Sequence, residues 1–183
     1  MYYRKRTEKT SLRAGKTQVF WANDEQHIPP GPTDIVQFWG KVADLKHVES
    51  IPNKLILSYI DYLYINIGFG YIWGNNFGRM TTWKKVYSIP LFPPAIKSDR
   101  ILGAEATLWG EVSNEDTLDD YLWMRASCLG ERLWNSNIKQ DDVSLVKRLV
   151  KFKNQLNERG VKTSPVTVEM CEHKPELCFS SVN

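Results

Sequence analysis

Residues 102–136 read LGAEATLWGEVSNEDTLDDYLWMRASCLGERLWNS. A short apolar run, Ile101–Leu108, leads into this stretch and stops at Trp109-Gly110-Glu111. A polar turn follows. Then Leu118–Trp134 places Leu118, Leu122, Ala126, Leu129 and Leu133 at three- and four-residue spacing, which predicts one apolar stripe on a helix. A strand that ends in an aromatic and a carboxylate and then feeds a long amphipathic helix is one β/α unit.

Three more apolar runs lie upstream: Thr17–Trp21 (TQVFW), Asp34–Trp39 (DIVQFW) and Lys54–Ser58 (KLILS). None alternates cleanly, as expected of strands covered on both faces of a parallel sheet. The connection NDEQHIPPGP, residues 23–32, is rich in turn formers. Lys41–Ile51 is expected to be a helix. A last helix starts near Asp141, carries Val143, Val146, Leu149, Val150 and Leu156, and stops at Gly160. Strands followed by helices predict an α/β architecture. In a parallel β/α array the functional edge is the carboxyl end of the strands. That edge carries Trp21, Trp39, the long loop from Tyr59 to Tyr87, Trp109 and Glu111. Flat aromatic faces stack on the C–H faces of a pyranose, and carboxylates or amides take its hydroxyls. The edge therefore has the composition of a sugar site.

Composition narrows the classes. Apolar content of 42% and charged content of 25% describe a chain able to build a core. A net charge of +3 is too small to imply a nucleic-acid partner. Residues 1–14 read as a basic N-terminal tail, a solvated helix or a frayed end, with contact to an anionic surface as the alternative. No apolar stretch follows the basic residues at the start, so no signal peptide is expected in this chain. No apolar run of about 18 residues predicts a membrane span. No Cys/His cluster has metal-site spacing, so no metal and no cofactor are expected. Cys171 and Cys178, in CEHKPELC, are spaced to close a small loop disulfide, with two free thiols as the alternative. Cys128 lies in an apolar helical stretch and reads as an inert core thiol.

The stretch 102–136 strongly resembles the hallmark of family 20 glycoside hydrolases, the β-N-acetylhexosaminidases. Those show a Gly-Glu-Ala strand, Leu-Trp-x-Glu, and a helix reading Leu-Trp-Pro-Arg-Ala that ends Glu-Arg-Leu-Trp. SYIDYLYINIGFGYIWGNN (58–76) and TTWKKVY (81–87) resemble the corresponding loop of insect-type members. TQVFWANDE and TDIVQFWG are similar to the fifth and sixth strands of the family, and ERGVKTSP (158–165) also fits. The resemblance covers about residues 15–178.

The resemblance implies the C-terminal half, strands five to eight with their helices, of a (β/α)8 TIM barrel. Residues 15–165 would form this partial catalytic barrel, and residues 166–183 a C-terminal tail with the disulfide loop. The family's acid and neighbouring Asp lie at the end of strand four. Asp24-Glu25 and Glu115-Asp116 are both out of context for that pair, so the chain is expected to begin just after it. The implied activity is exo-hydrolysis of terminal N-acetylglucosamine or N-acetylgalactosamine by substrate-assisted retaining catalysis. The alternative is a catalytically inactive sugar-binding or protein-interaction remnant.

By resemblance Trp21, Trp39 and Trp109 match three pocket tryptophans. Tyr64 matches the tyrosine whose hydroxyl bonds the acetamido oxygen and supports the transition state. Glu111 matches the carboxylate that accepts from the 4- and 6-hydroxyls. Asn66 stands where the family usually has Asp, and Phe77 replaces a Trp that insect chitin-processing members use for the next sugar. Met124 replaces a Pro expected at a helix start. Trp123 and Trp134 read as core, Arg125 and Glu131 as buried polar support, and Glu105 as a satisfied carboxylate inside strand eight. The implied partner is a glycan or chitooligosaccharide, with a homodimer or a missing N-terminal half closing the barrel. The implied parent is secreted or lysosomal.

Overall fold

The computed structural model describes residues 2–22, 31–67, 71–72, 75–76, 80–111, 113–137 and 142–179. Its strands are β1 (Val19–Ala22), β2 (Ile35–Phe38), β3 (Lys54–Leu57), β4 (Tyr71–Ile72), β5 (Asn75–Asn76) and β6 (Ile101–Ala104). Its α-helices are α1 (Tyr2–Arg13), α2 (Lys46–Glu49), α3 (Ile60–Leu63), α4 (Trp83–Tyr87), α5 (Leu118–Trp134), α6 (Asp142–Glu158), α7 (Glu169–His173) and α8 (Glu176–Phe179). The chain divides into two compact units, Met1–Asp61 with Pro90–Glu105, and Tyr62–Ile89 with Ala106–Asn183.

The first unit holds a four-stranded parallel sheet in the order β1-β2-β3-β6. The register aligns Trp21, Gln37, Ile56 and Gly103 in one row across it. The neighbouring rows are Phe20, Val36, Leu55 and Ile101, and Ala22, Phe38, Leu57 and Ala104. Successive side chains of a strand point to opposite faces, so these rows separate the faces of the sheet. Val36, Phe38, Leu55 and Leu57 are buried, while Ile35, Gln37 and Ile56 are only half-buried. The central strands thus alternate, and the expectation that both faces are covered is corrected: the face of Trp21 and Gln37 is only half-buried. Between β3 and β6 the register slips at Leu55/Ile56, and Leu102 stands outside the pairing, exposed. An extra residue of this kind bends an edge strand.

The amino ends of the strands are tied by polar groups. Asn53, itself buried, donates to Gly31 O at 2.8 Å and Asp34 O at 2.9 Å, locking the entry to β2 beside that of β3. Arg100 donates to Asn53 O (3.1 Å), Glu49 O (3.1 Å) and Val48 O (2.9 Å), which binds the start of β6 to the same place. One guanidinium thus satisfies three carbonyls where the chain turns toward the strands.

Several sequence expectations change on contact with the structure. The expected strand Ile101–Leu108 ends at Ala104, so Glu105 lies beyond it with an exposed side chain rather than inside it. Lys41–Ile51 splits into a 3-10 turn, Val42–Leu45, and the short α2. Residues 2–13 are helical, and Gly15 at φ 64° closes that helix with Lys16 N–H donating to Ser11 O at 2.9 Å. Only Gly takes this left-handed conformation without strain.

In the second unit α5 has the predicted ends, but its buried side is different. Met124, Arg125, Cys128, Leu129 and Arg132 are buried, whereas Leu118 and Leu133 are 44% and 42% exposed. Met124 therefore lies inside the helix, not at its start. Trp134, expected in the core, is 94% exposed. It stands roughly 200° around the helix from Arg132, on the solvent side. Trp123 is half-buried and donates its indole N–H to Asp119 at 2.8 Å. Helix α6 buries Leu145, Val146, Leu149 and Leu156, and Gly160 at φ 80° ends the segment as expected. Its predicted first residue, Asp141, lies outside the described residues.

Candidate active site

Each strand of the first unit delivers its last side chains to the carboxyl edge. Trp21 is on β1 and Trp39 follows β2 directly, with Trp39 N–H donating to Ala22 O at 3.1 Å. Trp39 is two residues past Gln37, so it shares the open face with Trp21. The two indoles stack, with centroids 6.4 Å apart and planes 8° from parallel. Gln37 on the same face donates to Ser58 Oγ at 3.1 Å. The indole nitrogen of Trp39 is buried and has no acceptor among the described residues.

The second unit assembles another group. Tyr64 pairs with Thr107 as a parallel bridge: Thr107 N–H donates to Leu63 O at 2.8 Å and Ile65 N–H to Thr107 O at 2.9 Å. This pairing carries Trp109, two residues on, to Tyr64. The rings meet edge to face with centroids 6.0 Å apart. Burial pushes the Tyr64 phenol up to about 12; the Trp109 indole hydrogen bond opposes this, and the nearby Glu111 carboxylate adds to it. Tyr64 is thus a protonated donor at any physiological pH. Trp109 is 43% exposed and Glu111 is exposed, so the group opens to solvent on that side. Asn66 is buried, and its side-chain oxygen has no hydrogen-bond partner among the described residues.

Behind this group, Arg125 of α5 is buried and donates to Ile65 O at 2.8 Å. Glu131 is partly exposed and pairs with Arg148 of α6 at 2.7 Å, and Arg148 also donates to the Tyr87 hydroxyl at 3.3 Å. Farther along the chain, Cys171 and Cys178 form a disulfide. Next to it, Glu172 accepts from Val166 N–H at 2.8 Å and pairs with Lys153. Burial draws the Glu172 carboxyl up, but Lys153 and the backbone amides outweigh it and hold the group below its ordinary range. Cys128 is fully buried, and burial pushes its thiol up to about 12, the inert core thiol expected.

Of the residues singled out in the sequence, Trp21 meets Trp39, and Tyr64 meets Trp109 beside Glu111. Asn66 lies in the turn that starts at Tyr64. Phe77, Asp24 and Glu25 lie outside the described residues. Sequence reasoning missed Thr107 as the residue that docks Tyr64, and Arg125 as the group holding Ile65. Thr107 sits two residues before Trp109, and that adjacency was its only legible signal. No helix among the described residues is long and apolar enough to cross a membrane.

The parallel sheet of the first unit, with strands β1, β2, β3 and β6 all running one way, is the sheet of a β/α fold. The catalytic-domain model of glycosyl hydrolase family 20 matches residues 1–137, and the chain belongs to that family. The match includes the basic helix α1. The chain is 33% identical over 154 residues to the chitooligosaccharidolytic beta-N-acetylglucosaminidase of Ostrinia furnacalis, covering 80% of this chain and 25% of that protein. It is 32% identical over 172 residues to the beta-hexosaminidase subunit alpha of Rattus norvegicus, covering 88% and 30%. The GH20 beta-N-acetylhexosaminidase of Streptomyces coelicolor A3(2) superposes with a TM-score of 0.74 at 24% identity, over 91% of this chain and 36% of that one. The chain thus spans a quarter to about a third of the length of these curated relatives. The parallel sheet is part of a TIM-barrel catalytic domain.

Proposed function

We propose that these residues are the sugar-holding, C-terminal half of the barrel of an exo-β-N-acetylhexosaminidase, strands five to eight. The enzyme removes terminal N-acetylglucosamine or N-acetylgalactosamine. The observation that carries the reading is the buried, protonated Tyr64 phenol packed edge to face on Trp109, with the Glu111 carboxylate nearby.

In substrate-assisted catalysis the substrate's acetamido oxygen attacks the anomeric carbon, the glycosidic C–O bond breaks, and an oxazolinium forms. The leaving oxygen takes a proton from a general acid. Water then opens the oxazolinium with retention. Tyr64 is suited to donate to the acetamido oxygen and hold the group in its bent, reactive pose. Trp21, Trp39 and Trp109 offer flat apolar surface to the sugar and its acetamide. Glu111 is placed to accept from sugar hydroxyls, and Asn66 offers a neutral acceptor where the family usually has a carboxylate. Phe77 is assigned the next sugar along a chitooligosaccharide.

These residues hold no Asp-Glu pair in the family's context, so the acid and its neighbour come from outside them. The 183-residue polypeptide by itself is therefore assigned no turnover. The Cys171–Cys178 bridge supports a secreted or lysosomal parent, since such bonds persist in oxidising compartments.

The test is inhibition of the full-length protein carrying these residues by a stable cyclised analogue of the oxazolinium. Inhibition far tighter than by N-acetylglucosamine is expected. Binding of N-acetylglucosamine without turnover by the full-length protein would favour the sugar-binding remnant instead.

A further inference from the structure

Ile65 and Asn66 form the centre of a turn that starts at Tyr64 and closes where Ile67 N–H donates to Tyr64 O at 3.2 Å. Both backbone groups of Ile65 are taken by other parts of the chain. Its N–H donates to Thr107 O at 2.9 Å, and its carbonyl accepts from Arg125 Nη1 at 2.8 Å. Arg125 is 60 residues away in sequence and only 5% exposed. Its guanidinium lies 5.4 Å from the centroid of the Tyr121 ring, and Nη1 also reaches Tyr121 O at 3.5 Å.

A guanidinium is costly to bury. Stacked on a ring and bonded to a carbonyl, its rigid plane fixes the direction of that carbonyl as well as its position. The carbonyl in question belongs to the peptide plane that joins Ile65 to Asn66, one residue from Tyr64. Ile65 is thus held from two sides, and the two side chains flanking it are the phenol against Trp109 and the buried amide with a free oxygen.

We infer that Arg125 is a positioning residue of the sugar site: by holding the Ile65 carbonyl it sets the Tyr64–Asn66 turn, and with it the Tyr64 phenol and the Asn66 amide. The inference rests on the hexosaminidase reading for the identity of the ligand.

The test uses the full-length protein with Arg125→Met, Arg125→Lys, Tyr64→Phe and the Arg125→Met/Tyr64→Phe pair. Hydrogen exchange over residues 63–67 is read beside kcat and KM on a chromogenic N-acetylglucosaminide. In Arg125→Met, exchange should quicken locally and kcat should fall about tenfold to a hundredfold, with a smaller change in KM. Arg125→Lys, which keeps one donor, should recover part of the loss. In the Tyr64→Phe background Arg125→Met should cost clearly less than in the wild type, the remainder acting through Asn66. An equal cost in both backgrounds, unchanged exchange at 63–67, or a lower folded yield with full kcat per folded site overturns the inference. If the wild type turns over no hexosaminide, yet exchange at 63–67 still loosens only in Arg125→Met, the hexosaminidase reading fails and the hold of Arg125 on the turn stands.

Discussion

Tyr64 and Trp109 meet edge to face, with ring centroids 6.0 Å apart and planes at 73°. They come from different stretches of chain, joined by the Tyr64–Thr107 bridge. Tyr64 is buried, while Trp109 remains partly exposed.

The alkaline side of the pH dependence follows from that burial. Tyr64 titrates near 12 in the folded protein against 10.0 ordinarily. Its contribution to stability is complete below pH 10 and is lost as pH rises toward 12, since the unfolded phenol releases its proton first. Tyr64→Phe should therefore flatten the fall in stability between those values, measured as Tm against pH. A wild type and variant with parallel alkaline limbs would place the phenol in water.

Asn66 makes a second prediction. Its buried oxygen lacks a partner, so Asn66→Asp puts an uncompensated charge there when no sugar is bound. The free variant should lose about 1–3 kcal/mol of stability. Saturating N-acetylglucosamine should return much of it, because a sugar hydroxyl supplies the donor. Thermal melts with and without the sugar read both effects. A variant as stable as wild type and indifferent to sugar removes Asn66 from the site.

The disulfide anchors a segment built around Glu172. Reduction, or Cys171→Ser, should cost about 2 kcal/mol, as expected for a small loop. Non-reducing peptide mapping should find Cys171 and Cys178 linked and Cys128 free. On the acid side, Glu172 is held below its ordinary 4.5, so its stabilisation is present above that pH and fades as pH falls through the lowered value. Glu172→Gln should weaken the protein at neutral pH and blunt its acid transition. An unchanged acid limb would show that Lys153 and the Val166 amide do not hold the carboxylate.

The sheet has two edges, β1 and β6, and an open face carrying Trp21, Gln37 and Ile56. Unpaired edges and half-covered apolar faces favour association. The isolated 183-residue polypeptide should dimerise, aggregate or bind a hydrophobic dye in sedimentation and fluorescence tests, and should not hydrolyse a chromogenic N-acetylglucosaminide. A monomer of 21.2 kDa with a cooperative melt and no dye binding would mean that it closes its own core.

Much of this was legible in the sequence because β/α units write their period into it. The ends of α5 and the positions of β1, β2 and β3 were read within a residue or two. The side of α5 that is buried was not. Arg125 was read as buried support from the family resemblance, but the burial of Arg132, which donates to Ser136 O, was not, because hydrophobic spacing cannot report a polar contact. β6 was read as twice its length because Ala106 and Leu108 extend the apolar run, although Thr107 leaves the strand to pair with Tyr64. Trp21, Trp39 and Trp109 were legible from strand ends, whereas the Arg125–Ile65 bond spans 60 residues and left no local trace.

The most direct test of the sugar-site assignment is steady-state kinetics of the full-length protein on a chromogenic N-acetylglucosaminide, wild type beside Tyr64→Phe. Loss of a donor aimed at developing charge should lower kcat about 100-fold to 1,000-fold while KM changes far less. Equal kcat in the two proteins, or a wild type with no turnover at all, would contradict the account.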